Sequence, residues 1–273
     1  MKNRLSIENK KDAFDAQEKT NNVSGRPLIS VIGFSNRFRR VAAVLILILT
    51  GASLYFLSNN KNLEQTTAYG ESKNFVLPDG SEVSLNANSG LTTTKTWDKT
   101  SSREVWLKGE AFFHVKHTSS NQHFIVHTDN GDVEVLGTTF NVYNRGGKTQ
   151  VVLTSGKVKI ITSNTKDTLL LLPGEMAELS KTKLHVSKTV NTEKITSWKK
   201  NVLFFDNTSL QEIAVLIKDN YGYKVVWANE NIKKLNFTYT LVGNDLDLLL
   251  NTLEEALDIK AKLKGNLIYI DSK

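Results

Sequence analysis

The chain has 273 residues, no cysteine, 40% hydrophobic and 23% charged residues, and a formal net charge of +7. Without cysteine there are no disulfides, no thiolate catalysis and no cysteine-ligated metals. Residues 1–40 hold nine basic and four acidic side chains, so five of the seven net positive charges sit there, and the basic character is not a nucleic-acid footprint spread over a folded domain.

Residues 1–36 are polar and mixed in charge, and they cannot bury a core alone; they read as a short cytoplasmic tail. Val41 to Leu57 follows, seventeen residues without a charge. A helix rising about 1.5 Å per residue nearly crosses a hydrocarbon core of roughly 30 Å over that length. With its flanks, residues 37–59 are expected as one transmembrane helix. Arg37, Arg39 and Arg40 abut its start and predict a cytoplasmic N-terminus, with the C-terminal bulk outside. Thr50, Gly51, Ala52 and Ser53 are small residues within it, and all but the alanine are weaker helix formers. They read either as a segment that unwinds into an intramembrane protease or as a helix-packing surface.

Residues 60–74 read as a polar tether. From 75 to 186 turn signals recur, among them Asp79-Gly80, Lys108-Gly109, Asn130-Gly131 and Ser155-Gly156. Alternating runs such as Asp132-Val133-Glu134-Val135 lie between them. Period-two alternation between close turns predicts an all-β domain, a short-stranded sandwich or a twisted solenoid-like stack. Residues 187–197 read as a linker. Over 198–273 the expected order is β-α-β-β-α-β-β, a small α+β domain. Its first helix opens with a capping box, Ser209 to Glu212, and closes at Gly222.

Chemistry-bearing patterns are sparse. His114, His117, His123 and His127 fall close together, but strand alternation sends His114 and His117 to opposite faces, against a metal site. Gly146-Gly147-Lys148-Thr149 ends like a P-loop, but Val142 stands where the first glycine is required, and the context is strand-turn-strand. No nucleophile turn is legible, and no cofactor is called for.

Six phrases carry a family resemblance in order: Leu77 to Asn86, Arg103 to Val115, Phe124 to Thr128, Val133 to Val142, Val151 to Val158, and Leu172 to Glu175. Over them the chain resembles the FecR family, single-span sensors that regulate extracytoplasmic-function sigma factors. The C-terminal part resembles the STN-like companion module of Bacteroidetes-type members. The resemblance implies an inner-membrane protein whose bulk is periplasmic. It implies three kinds of partner: the N-terminal signalling domain of a TonB-dependent outer-membrane receptor, a sigma factor, and envelope proteases. It also marks the Gly137–Thr138 bond for self-cleavage by an N-to-O acyl shift, against a plain turn into a strand at Thr139. The chain departs from the family at its front, where about forty residues precede the apolar run and no tryptophan comes before Trp97.

Glu110 and Glu175 read as structural carboxylates, with Glu110 expected to accept backbone N–H groups in a loop. Two other readings remain open. Trp97, Trp106, Phe112 and Phe113 could line the groove of a membrane-anchored carbohydrate-binding or hydrolytic β protein, although such an enzyme needs paired carboxylates that the sequence does not place. An envelope assembly protein could use the STN-like module to contact a secretin.

Overall fold

The computed structural model describes residues 36–59, 62–98 and 100–273. The tail expected over 1–36 lies outside them except for Asn36. Helix α1 runs Asn36–Asn59. Thr50 Oγ1 donates back to the Ile46 carbonyl at 2.7 Å within it. Among the described residues no helix is long and apolar enough to cross a membrane, which corrects the span expected over 37–59. The first turns of α1 carry Arg37, Arg39 and Arg40.

The second compact unit is Leu57–Lys273. Its first part is built around β5, Arg103–His114. Every second residue of that strand is buried, as the alternation in its sequence requires. Up to Lys108 it pairs with β4 (Gly90–Thr94) and, in parallel, with β6 (Phe124–His127). From Gly109 it pairs with β8 (Thr139–Arg145), and from Ala111 also with β3 (Glu82–Leu85). Gly109 makes the switch at φ +95°, and a Cβ there would stand 2.3 Å from Ser89 Oγ, so only glycine fits.

One wing of the sheet continues from β6 to β7 (Gly131–Val135), β10 (Val158–Thr162) and β11 (Thr168–Leu171). The other continues from β8 to β9 (Lys148–Ser155), β12 (Met176–Ser180) and β13 (Leu184–Ser187). β1 (Asn62–Thr66) joins β4, and β2 (Lys73–Val76) joins β3. Residues 60–74, expected as a tether, therefore carry one strand and the start of another.

The result is one branched thirteen-stranded sheet, which corrects the expected sandwich or solenoid-like stack. Alternation is the same in either architecture; a strand shared by both wings leaves no separate mark. The wings close on one core, where Phe113 stacks on Phe140 at 5.1 Å and meets Phe124 edge-on at 5.9 Å.

A five-residue helix α2 (Thr192–Thr196) leads into the second part. There β14 (Val202–Ser209) pairs with β16 (Asn236–Val242), while β15 (Lys224–Trp227), β18 (Leu267–Ser272) and β17 (Ile259–Lys264) form a separate three-stranded sheet. Helices α3 (Leu210–Tyr221) and α4 (Leu246–Leu257) bury Leu210, Ile213 and Ile217, and Leu249, Leu250 and Leu253, in its own core. Those positions are spaced three and four apart, one helical stripe each.

Candidate functional site

The two folded parts of this unit meet at the end of α3. The capping box starts that helix: Ser209 Oγ accepts from the Glu212 N–H, and Glu212 Oε2 accepts from the Ser209 N–H at 2.9 Å. Gly222 ends it at φ +80°. The last turn presents carbonyls that no helical N–H reaches, and these carry the negative end of the helix dipole.

β8 supplies the complement. Tyr143 Oη donates to Asp219 Oδ2 at 2.5 Å, and Arg145 Nη1 donates to the Asp219 carbonyl at 2.5 Å. Arg145 Nη2 donates in turn to the Ala87 carbonyl and to Ser89 Oγ, tying in the β3–β4 loop. A second strap comes from residues 68–71: Gly70 N–H donates to the Asn220 carbonyl at 2.8 Å, and Asn244 Nδ2 donates to the Gly70 carbonyl at 3.0 Å. Tyr221 Oη holds Asn244 at 2.6 Å. Burial, and then donation to Asp219, push the Tyr143 phenol above its ordinary range. Burial, and then the charge of Asp245, push Tyr221 up to about 12. Both phenols stay donors across the physiological range.

A cleft of about 390 Å³ opens beside this seam, lined by Glu110, Tyr143, Lys148, Gln150, Glu212 and Asp219, among others. Glu110 accepts from Asn86 Nδ2 at 2.7 Å and from Asn141 Nδ2 at 2.8 Å. The partners are side-chain amides, not the loop backbone expected from sequence. Burial raises the Glu110 carboxyl above the ordinary carboxylate range, outweighing the two amide bonds and the Arg145 charge. Glu175 does take a backbone donor, the Leu172 N–H at 2.9 Å. Tyr143, Arg145, Asp219 and Asn244 had no signal in the sequence, because no local spacing links them.

The other sequence-predicted residues lie elsewhere. Gly137 and Thr138 join β7 to β8 in a second cleft. Thr138 is buried; its Oγ1 donates to the Lys157 carbonyl at 3.0 Å, and its N–H donates to the Val115 carbonyl at 3.2 Å. A Cβ on Gly137 would stand 2.7 Å from His117 Cβ, so glycine is required there by close approach. Thr50, Gly51, Ala52 and Ser53 are exposed on α1, as are Arg37 and Arg40, and Arg39 lies in the same helix.

The histidines do not converge. His114 meets Thr139, His123 meets Glu134, and His127 bridges Asp132 and Glu104 while stacking on Trp106. Nor do the four aromatics share a groove. Phe113 is in the core, Trp97 packs edge-on against Phe124, Trp106 is exposed, and Phe112 lies under the Lys199 ammonium.

The folded unit has relatives. A model of the FecR protein matches residues 64–159, and a model of the FecR C-terminal region matches residues 202–270. Two crystal structures, at 1.65 and 2.50 Å, of a candidate anti-sigma factor from Parabacteroides distasonis superpose with a TM-score of 0.66 at 26% identity. They cover 77% and 78% of this chain, and 99% and 100% of their own. Among curated proteins none matches. The two family models meet the two folded parts in order, one on each side of the seam, and on that ground the chain belongs to the FecR family.

Proposed function

We propose that this chain is a signal transducer that regulates an extracytoplasmic-function sigma factor by protein–protein coupling, not by catalysis. The observation that carries this reading is the seam. Asp219 and Asn220, at the end of α3, are gripped by Tyr143, Arg145 and the 68–71 strap. A partner that shifts α3 therefore pulls on the β part directly. Family membership and the likeness to a candidate anti-sigma factor support the sigma-factor end.

In this reading residues 75–186, joined by β1 and the start of β2, are the β domain, 187–197 the linker and 198–273 the STN-like domain, with the bulk of the chain in the periplasm. The N-terminal signalling domain of a TonB-dependent outer-membrane receptor docks on the STN-like domain at its open strand edges. The tail, 1–36, holds or releases the sigma factor on the cytoplasmic face of the inner membrane, kept there by Arg37, Arg39 and Arg40. Two breaks would convert the signal into release. Envelope proteases act at Thr50, Gly51, Ala52 and Ser53. At Gly137–Thr138 the threonine Oγ attacks the glycine carbonyl carbon, the C–N bond breaks with the proton passing to the new amine, and water opens the ester.

The test is a pull-down with residues 1–40 against the sigma factors of the source organism, with the C-terminal bulk as control. Specific retention of one sigma factor by the tail supports the reading; retention of none by the tail overturns it. Self-cleavage has its own readout, since intact mass after prolonged incubation shows two fragments if it occurs and one full-length chain if it does not.

A further inference from the structure

A groove of about 460 Å³ lies at one end of the β7–β10–β11 wing. It is separate from the seam and is the cleft that holds Gly137 and Thr138. Its apolar part is Leu136 and Leu170; its charged part is Lys157, Lys159, His123 and Glu134.

β11 bounds this wing. It pairs with β10 on one side, and no described strand pairs with the other. Exposed edges are usually blunted by a charge, a proline or a bulge. Here the edge strand reads Thr168-Leu169-Leu170-Leu171, with Leu170 66% exposed, and Leu172, in the turn just past its end, is 55% exposed. An edge of that length and apolarity is a template for one more strand.

The charges say what kind of strand. Glu134 is already taken, by Lys159 at 3.0 Å and by His123. Lys157 has no ionic partner among the described residues and stands one residue before β10. On β10, Lys159 pairs in register with Leu170. A strand added outside β11 lies about 10 Å from β10, within reach of extended lysine stems and of a glutamate coming the other way. The groove wall is rigid, because Arg103 Nη2 holds the Leu136 carbonyl at 3.1 Å and the Thr138 backbone pairs with Val115.

We propose that this edge and groove dock an extended acidic peptide of a partner protein, which adds a strand to β11. Its apolar side chains pack on Leu170 and Leu172, and its carboxylates face Lys157 and Lys159. The backbone ladder supplies affinity, while the leucines and lysines supply specificity.

The test uses the full chain and a fluorescein-labelled peptide of roughly eight residues, alternating leucine and glutamate. We expect saturable fluorescence polarisation that weakens as salt rises. Leu170→Lys is expected to weaken binding about tenfold or more. Leu172→Lys, read alongside it, keeps the test valid if the first variant misfolds. Lys157→Glu with Lys159→Glu should lose the glutamate peptide and gain one alternating leucine and lysine. The proposal is overturned if the wild-type chain does not bind the glutamate peptide. Equal binding of the glutamate and lysine peptides, or of a leucine-free polyglutamate, overturns it too, since either result describes a diffuse surface and not a strand site.

Discussion

A buried charge is tolerated where most of its polar atoms find partners, and two residues here depend on that rule, although Arg103 Nε has none. Arg103 is 1% exposed, and its guanidinium pairs with Asp79 at 2.6 Å while donating to the carbonyls of Lys116, Gln122 and Leu136. Removing the carboxylate leaves an uncompensated buried cation. Asp79→Ala should therefore cost about 3–5 kcal/mol, read by urea unfolding; a loss of less than about 1 kcal/mol would show that the pair is solvated. Glu110 works in the opposite sense. Its folded state binds the proton more tightly than the unfolded chain does, because burial raises it. Stability from this group is thus fully present at and below the ordinary carboxylate range and is lost as pH rises through the raised folded value. Glu110→Gln removes that loss, so its melting temperature should change less between acid and neutral pH than that of the unchanged chain. Parallel profiles for the two would refute the assignment.

Helix α3 connects its own stability to the seam. Its N-terminus depends on Ser209, whose Oγ also donates to Glu212 Oε2 at 2.8 Å, the first cause of the lowered Glu212 carboxyl. Ser209→Ala should cost about 1 kcal/mol. Hydrogen exchange should place the loss in the first turn of α3, and unchanged exchange there would mean that packing alone holds the helix. At the other end the Asp219 carbonyl is part of the helix terminus and also a partner of Arg145. Two of the carbonyls that any helix leaves unpaired, those of Asp219 and Asn220, are here used as an attachment point. β5 plays the corresponding role in the β part, since one strand with a single glycine switch serves both wings.

At the scale of the whole folded unit, two cores are joined by a small set of polar contacts. Contacts of that kind rupture more readily than a core does, because each is worth about 1–3 kcal/mol and water can replace it. Arg145→Ala combined with Tyr143→Phe should leave both cores folded. The expected outcome is faster hydrogen exchange confined to the 68–71 strap and the last turn of α3. Exchange that rises uniformly across the β sheet would instead mean that the seam is part of the β core. A transducer needs such a joint: stiff enough to transmit a displacement, and weak enough to open.

The sequence by itself determined what is local. The turn at Asp79-Gly80, the capping box from Ser209 to Glu212, the cap at Gly222 and the helical stripes of α3 and α4 were legible because each depends on residues no more than a few positions apart. The family phrases were legible for a related reason, since they are strings of consecutive residues. The tertiary structure decided what is distant. Asp79 read only as a turn residue, yet it is the counter-ion of Arg103, 24 positions on. Tyr143 and Asp219 are 76 positions apart, and no periodicity relates them. The single branched sheet and the open edge of β11 were likewise settled only in three dimensions. Alternation fixes which face of a strand is buried, but it does not say which strands will be neighbours, because pairing depends on where the chain returns and not on what it repeats.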